Sequence, residues 1–165
     1  MKTRLFLKYI LFISITLILI NCAKKGRDQA ISFLNNKLKN WITQEDKLVD
    51  KYNKIIIKKD FRAQLIIDLL KKELISKLAK LRQAAGEYKT KFKPVNALNK
   101  AYIEKLDYLV KGLTKIRYGL EKSNQELLNQ GRSELANYQE QREKFNKRLQ
   151  KFLRDYHIKI DKGEK

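Results

Sequence analysis

The sequence predicts an all-α fold, an elongated bundle of about four helices that are mostly antiparallel. After residue 28, apolar residues recur at three- and four-residue steps, which places them on one face of each helix. Glycine occurs six times and proline once, so few positions break a helix. Short turns and one longer connection around Pro94 divide the pattern into segments of the length found in helical bundles.

The first helical pattern begins after residue 28. Its apolar positions are Ala30, Phe33, Leu34, Leu38, Trp41 and Ile42. "TQED", from Thr43 to Asp46, is typical of a capping box, so we expect a kink or short turn near Thr43 and a second helix after it. "KIIIKKD", at 54–60, is rich in β-branched residues, but it lies between helical patterns and has no partner strand. We interpret it as helix, with Asp60 as a candidate cap for the next one.

The strongest helical pattern covers 61–85. Its apolar stripe consists of Leu65, Ile66, Leu69, Leu70, Leu74, Leu78 and Leu81. Gly86 follows as a natural C-terminal stop. Between Gly86 and Asn96, Pro94 excludes a continuous helix, which predicts a long connection there.

Two further apolar stripes run from Tyr102 to Leu120 and from Leu127 to Tyr156. Ile116 and Phe152 are separated by one residue more than five heptads, so the two stripes cannot share an uninterrupted seam. "SNQE", at 123–126, is typical of another capping box. We expect a turn near Ser123 between two antiparallel helices; one long helix with a stutter is the alternative.

The N-terminal segment has the organisation of a secretory signal. Lys2, Arg4 and Lys8 form a basic region, and the apolar run that follows is about twelve residues long, against about 20 needed to cross a bilayer. The run ends in "LINC", at 19–22, which resembles a bacterial lipobox. That resemblance implies cleavage between Asn21 and Cys22 and acylation of the Cys22 thiol. An uncleaved anchor with an incidental cysteine is the alternative.

Asn21 departs from the usual lipobox, which has Gly, Ala or Ser before the cysteine. Spirochaetes tolerate a looser motif, and a composition rich in Lys, Ile and Asn is typical of an AT-rich genome. In its first two dozen residues and its composition, the chain resembles small helical outer-surface lipoproteins of borrelial spirochaetes. The resemblance implies a protein anchored to the outer membrane by lipid and exposed on the cell surface, although a periplasmic face is the alternative.

The predicted organisation is a signal peptide at 1–21, a lipidated tether at 22–28, one helical domain at 29–158 and a polar tail at 159–165. The segment after the signal is the size of one ordinary domain. A single cysteine allows no internal disulfide, so we expect stability to come from packing.

Motifs for catalysis or for metal binding are missing from the sequence. His157 is the only histidine, and it has no second His or Cys to act with after the signal peptide. The sequence also contains no phosphate-binding glycine loop, nucleophile elbow or EF-hand motif. We therefore expect no enzyme activity, no cofactor and no metal.

Positive charge is the strongest functional signal. The formal net charge is +20, and loss of the three basic residues of the signal peptide leaves +17, which favours anionic partners. Three basic features are candidate ligand sites. They are Lys144, Lys147, Arg148, Lys151 and Arg154 on the last helix, Lys89, Lys91 and Lys93 near Pro94, and Lys165 at the end of the sequence. For each, an ordinary solvated surface is the alternative.

The expected partners are the membrane, through the N-terminal lipid, and an anionic or host ligand. By what the resemblance implies, that ligand is a sulfated glycan or a plasma, matrix or complement protein. A periplasm-facing structural lipoprotein that acts through helix–helix contacts or self-association is the second hypothesis. Nucleic acid is not expected, because the chain has an export signal and no recognition motif; a cytoplasmic nucleic-acid-binding protein remains the alternative if the leader is not used.

Overall fold

The computed structural model describes residues 26–56 and 62–159, and within these ranges the chain forms four helices and no strand. Helix α1 covers 26–56, α2 covers 63–87, α3 is Lys93–Glu121 and α4 is Gln125–Asp155. The predicted all-α class is confirmed. Residues 26–28, which we assigned to the tether, are already helical. Two helices have 29 and 31 residues, which corresponds to lengths of about 44 and 46 Å.

The helices alternate in direction. On α3 and α4, contacts pair an early residue of one helix with a late residue of the other, as with the Tyr102 and Phe145 rings at 5.6 Å and the Lys115–Glu134 ion pair at 2.9 Å. The predicted turn near Ser123, and the antiparallel pair of helices that it joins, are therefore confirmed. Along α2 and α3, the Asn99 amide donates to the Ala85 carbonyl at 2.8 Å, which also fits antiparallel packing.

Helix α1 runs parallel to α3. The Trp41 indole stacks on the Tyr102 ring with their centroids 5.9 Å apart, and four residues further along α1 the Glu45 carboxylate binds the Lys105 ammonium. Consequently the start of α1, the α2–α3 connection and the end of α4 all lie at one end of the bundle.

Two glycines allow α3 and α4 to approach closely. A Cβ atom added at Gly112 would lie 3.1 Å from the Gly131 carbonyl oxygen, and one added at Gly131 would lie 3.0 Å from the Gly112 carbonyl oxygen. Any larger residue would bring a carbon atom into tight contact with the opposite backbone. The long helical hairpin therefore depends on these small residues.

The core joins all four helices. It contains Phe33, Leu38, Trp41, Ile66, Leu70, Leu74, Leu78, Tyr102, Leu106, Leu113, Tyr138 and Phe145. One predicted position on α2 is wrong, because Leu65 is 55% exposed whereas Ile66 is buried. Adjacent residues of a helix point about 100° apart, and here Ile66 faces the core while Leu65 faces solvent.

The predicted kink near Thr43 is wrong. Helix α1 continues through this position, and the Thr43 hydroxyl donates to the Lys39 carbonyl within the helix. Asp46, whose carboxylate completes the capping-box motif, instead accepts a hydrogen bond from the Arg142 guanidinium of α4 at 3.0 Å. The irregularity in α1 is instead a π-helical segment at Leu34–Leu38.

The connection around Pro94 is shorter than predicted. Gly86 is helical, α2 ends at Glu87, and α3 already begins at Lys93. Pro94 fits within the first turn of α3 because a backbone N–H has no helical partner there. The actual connection is therefore 88–92. A second π-helical segment, Leu70–Leu74, lies within α2.

The predicted cap of the last helix is displaced by one residue. Asn124, not Ser123, is the N-cap of α4, and its side-chain oxygen accepts a hydrogen bond from the Leu127 N–H at 3.0 Å. Ser123 has φ of 50°, the left-handed conformation that reverses the chain. At the other predicted boundary, Lys54–Ile56 is helical as expected, and Asp60 lies outside the described residues.

Candidate functional site

The structure brings two of the predicted basic features to the same end of the bundle. Lys89 and Lys91 lie in the α2–α3 connection and Lys93 begins α3, whereas the other group belongs to the last turns of α4. The Phe92 and Tyr156 rings join the two elements, with their centroids 5.3 Å apart. We call Lys89, Lys91, Lys93, Arg148, Lys151 and Arg154 the basic end.

A shallow cleft lies between the first turns of α3 and the last turns of α4. It has a volume of about 370 Å³, and Pro94, Arg148, Lys151 and Tyr156 are among its lining residues. The cleft thus combines cationic groups with an aromatic surface. Lys144 and Lys147 belong to the same predicted group, but they lie nearer the N-terminus of α4, towards the middle of the bundle, and are not members of the basic end.

Among the described residues, most cations of this surface have no neutralising neighbour. Lys151 binds Asp155 at 2.6 Å and Lys144 binds Glu140 at 2.5 Å, both as pairs four residues apart on α4. Within the described ranges, the other five members of the basic end have no carboxylate within the 4.0 Å limit of an ion pair. All six side chains are on exposed residues. This surface therefore keeps a strong positive field.

The start of α1 lies at the basic end. A Cβ atom added at Gly26 would lie 2.8 Å from a Phe92 ring carbon, and the Arg27 guanidinium donates to the His157 carbonyl oxygen at 3.3 Å. Cys22 is four residues before Gly26 in the sequence. The predicted processing site at Asn21 and Cys22, and the candidate Lys165, lie outside the described residues.

His157 is exposed, and only its backbone carbonyl takes part in the contact with Arg27. Among the described residues, no group of three His, Cys, Asp or Glu side chains is arranged to hold a metal ion. None of the helices in the same ranges has the length and apolar character needed to cross a bilayer.

A buried polar cluster, which the sequence analysis missed, joins three helices. The Glu45 carboxylate of α1 accepts hydrogen bonds from the Lys105 ammonium of α3 and the Tyr138 hydroxyl of α4, each at 2.7 Å. Glu45 and Lys105 are 0% and 2% exposed. The Lys105 ammonium also lies 4.6 Å from the centroid of the Tyr102 ring and 4.9 Å from that of the Phe145 ring. The cluster is enclosed by core side chains.

The burial of this cluster shifts its pKa values. Burial lowers the pKa of Lys105, and the Glu45 carboxylate opposes this shift. Burial raises the pKa of Tyr138, and the negative charge of Glu45 raises it further. Since no ligand can approach these groups without opening the core, we assign the cluster a structural role in fixing the register of the helices. One signal for this cluster was present in the sequence. Lys105 lies three residues after Tyr102 and four before Leu109, so a charged residue occupies a position in an apolar stripe.

A second lysine-rich surface lies between α1 and α2. A cleft of about 620 Å³ has Trp41, Leu48 and Leu81 in its lining, together with Lys47, Lys51, Lys77 and Lys80. Glu73 binds both Lys51 and Lys77, and the hydrogen bond from Lys51, followed by that from Lys77, lowers the pKa of Glu73 to about 2. Half of the lysines in this cleft therefore share a carboxylate, which reduces their capacity for an external anion.

Comparison of the chain with protein-family models, with curated proteins and with solved structures found no significant match.

Proposed function

We propose that this chain is a non-enzymatic, lipid-anchored protein of the bacterial envelope that is exposed on the cell surface and binds an anionic ligand through its basic end. The observation that carries the proposal is the meeting of two basic groups, far apart in sequence, beside the Phe92–Tyr156 contact. Five of the six cations there have no ion-pair partner among the described residues. Sulfated glycans are the ligand class that we propose, because they present closely spaced anions along a flexible chain.

The proposed anchor adds a geometric constraint. If Cys22 carries the lipid, Gly26 follows four positions later in the sequence, a span of at most about 14 Å. The basic end then lies beside the membrane surface, and the opposite end of the bundle projects outward. A polymeric glycan can reach such a position from the side, whereas a large globular partner meets steric hindrance from the membrane. This geometry supports a glycan over a plasma, matrix or complement protein as the direct ligand.

A charge-matched comparison tests the proposal. In one variant Lys89, Lys91, Lys93 and Arg148 are replaced by Gln; in the control, Lys54, Lys71, Lys111 and Lys122 are replaced, which are exposed residues outside the basic end. Both variants lose the same net charge. Heparin affinity is measured for each by titration at several salt concentrations.

We expect the first variant to bind heparin more weakly and with a shallower dependence on salt, because fewer counterions are released from the glycan. The control is expected to keep most of the affinity of the parent protein. Equal weakening of both variants would show that binding depends on net charge alone, and would contradict a site at the basic end.

A structural role through helix–helix contacts is the second candidate, and it is supported by exposed apolar residues at the other end of the bundle. Ile56 ends the described part of α1, Leu65 lies in the first turn of α2, and Tyr118 lies in the last turn of α3. Replacement of all three by Ser tests this candidate. Loss of a concentration-dependent oligomer in analytical ultracentrifugation would support it, and an unchanged sedimentation profile would oppose it.

A further inference from the structure

An apolar pocket lies between the first half of α1 and the C-terminal end of α4. Its volume is about 500 Å³, within the range of about 300–1,000 Å³ that is typical of small-molecule sites. Its apolar lining consists of Ile31, Leu34, Leu38, Ile42, Leu149 and Ile158. These side chains come from both helices and from the turn after α4, so the pocket depends on the assembled fold.

Cationic side chains surround this pocket. Arg27, Lys39 and Lys159 belong to its lining, and none of the lining residues that the structure describes is acidic. Lys39 and Lys159 are exposed and have no carboxylate within 4.0 Å in the described ranges. An apolar interior with a cationic rim is complementary to a molecule that has one hydrocarbon chain and one anionic head.

Two irregular backbone features form the pocket. The π-helical segment Leu34–Leu38 supplies Leu34, Asn35 and Leu38 to the lining, and π-helical turns occur frequently at functional sites. After α4, His157 has φ of 50° and the Ile158 N–H donates to the Leu153 carbonyl at 2.9 Å. This turn brings Ile158 back over the end of α4, where it contributes to the pocket wall.

We propose that the α1–α4 pocket binds a long-chain fatty acid. The hydrocarbon chain lies against Leu34, Leu38 and Leu149, and the carboxylate is bound by the cations of the rim. This inference does not depend on glycan binding, because Lys39 and Lys159 are not members of the basic end. It also differs from the lipid on Cys22, because the ligand is held without a covalent bond and exchanges with free fatty acid.

The test uses the full chain as cells process it, purified in detergent from whole cells and mixed with phosphatidylcholine vesicles, so that the parent protein and its variants are treated alike. A palmitate analogue with a photoactivatable diazirine is added, and the labelled peptides are identified by mass spectrometry. We expect label in peptides from 31–42 and 149–158, and we expect excess palmitate to displace it more effectively than hexadecanol, which has no charge. Label spread over all four helices, or equal displacement by both competitors, would overturn the proposal.

Matched variants locate the site. Leu149→Trp, which fills the pocket, is expected to lower the affinity for the probe about tenfold, or about 1.4 kcal/mol; Leu65→Trp, on an exposed residue of α2, is the control. For the rim, Lys39→Gln is expected to weaken palmitate binding roughly threefold with no effect on hexadecanol. Lys37→Gln, an exposed residue on the same helix that does not line the pocket, is its control. Circular dichroism checks that each variant keeps its helical content.

The acyl chain of the protein itself is the competing occupant. Cys22→Ala removes the acylation site, and we expect labelling of the pocket to be the same in this variant as in the parent protein. Labelling that appears only after the substitution would assign the pocket to the lipid on Cys22, and would contradict a site for an exchangeable fatty acid.

Discussion

The Lys105 ammonium on α3 lies 2.7 Å from the Glu45 carboxylate on α1, and both side chains are buried. The Tyr138 hydroxyl on α4 donates to the second carboxylate oxygen, so one acidic residue connects three helices. Moving two charges out of water is costly, and the pair is tolerated because the partners satisfy each other. The cluster therefore fixes which residues face one another more than it adds to stability.

Removal of one member of this pair should be far more harmful than removal of both. Glu45→Gln is expected to destabilise the protein by about 3–5 kcal/mol, because Lys105 then stays buried without its carboxylate. The double variant Glu45→Leu/Lys105→Met is expected to recover most of that loss. Urea unfolding of Glu45→Leu, of Lys105→Met and of the double variant measures the coupling. Additive losses would show that the two residues act independently.

Glu73 should contribute to stability at neutral but not at strongly acidic pH. Its pKa is lowered from 4.5 to about 2 by hydrogen bonds from Lys51 and Lys77. A lowered pKa in the folded state gives a contribution that is present above pH 4.5 and is lost as the pH falls towards 2. Thermal unfolding of Glu73→Gln should therefore differ from that of the parent protein at pH 7, and the difference should shrink below pH 4.5. Glu143→Gln, an exposed residue of α4, is the control, and an equal profile for both variants would contradict this role.

Gly131 and Gly86 should respond in opposite ways to alanine. At Gly131 the new Cβ would lie 2.9 Å from the Ile116 backbone nitrogen, so α3 and α4 must separate, and we expect a loss of about 1–3 kcal/mol. At Gly86 no atom of the described residues lies within 4 Å of the added Cβ and the residue is helical, so alanine should add about 0.5 kcal/mol. Chemical denaturation compares the two variants. A stable Gly131→Ala protein would mean that the helices are not packed this closely.

The start of α4 should depend on Asn124 rather than on Ser123. Asn124→Ala removes the oxygen that accepts from the Leu127 N–H and is expected to cost about 1 kcal/mol. Ser123→Gly should be neutral or stabilising, because glycine adopts positive φ without strain. The midpoints of urea unfolding give both values. A larger loss for Ser123→Gly would restore Ser123 as the cap.

The sequence was sufficient to predict the fold class, the helical hairpin after Pro94 and most core positions, because apolar periodicity records which face of a helix is buried. It was misleading where a motif has two uses. Asp46 completes a capping-box pattern, but its carboxylate binds Arg142, which is 96 residues away in sequence. The π-helical segments left no clear trace either, since Leu34 and Leu38 fit an ordinary four-residue step.

The basic features were recognised individually from the sequence, but their meeting was not. Spacing within α4 predicts that Arg148 and Lys151 share a face, whereas only the antiparallel arrangement of α3 and α4 places them beside Pro94. The apolar pocket had no sequence signal of its own. Ile31 and Leu149 fit helical stripes that a core also produces, and the space between them depends on how α1 packs against α4.

The anchoring of this basic end beside the membrane is the central claim, and acylation of Cys22 tests it most directly. Cells that express the parent protein or Cys22→Ala are fed radiolabelled palmitate, and the label and the membrane fraction of the protein are measured together. We predict that the parent protein is labelled, shortened by its signal peptide and recovered with membranes, and that Cys22→Ala loses both the label and the membrane association. An unlabelled parent protein, or a Cys22→Ala protein that stays in the membrane with its leader uncut, would contradict the account.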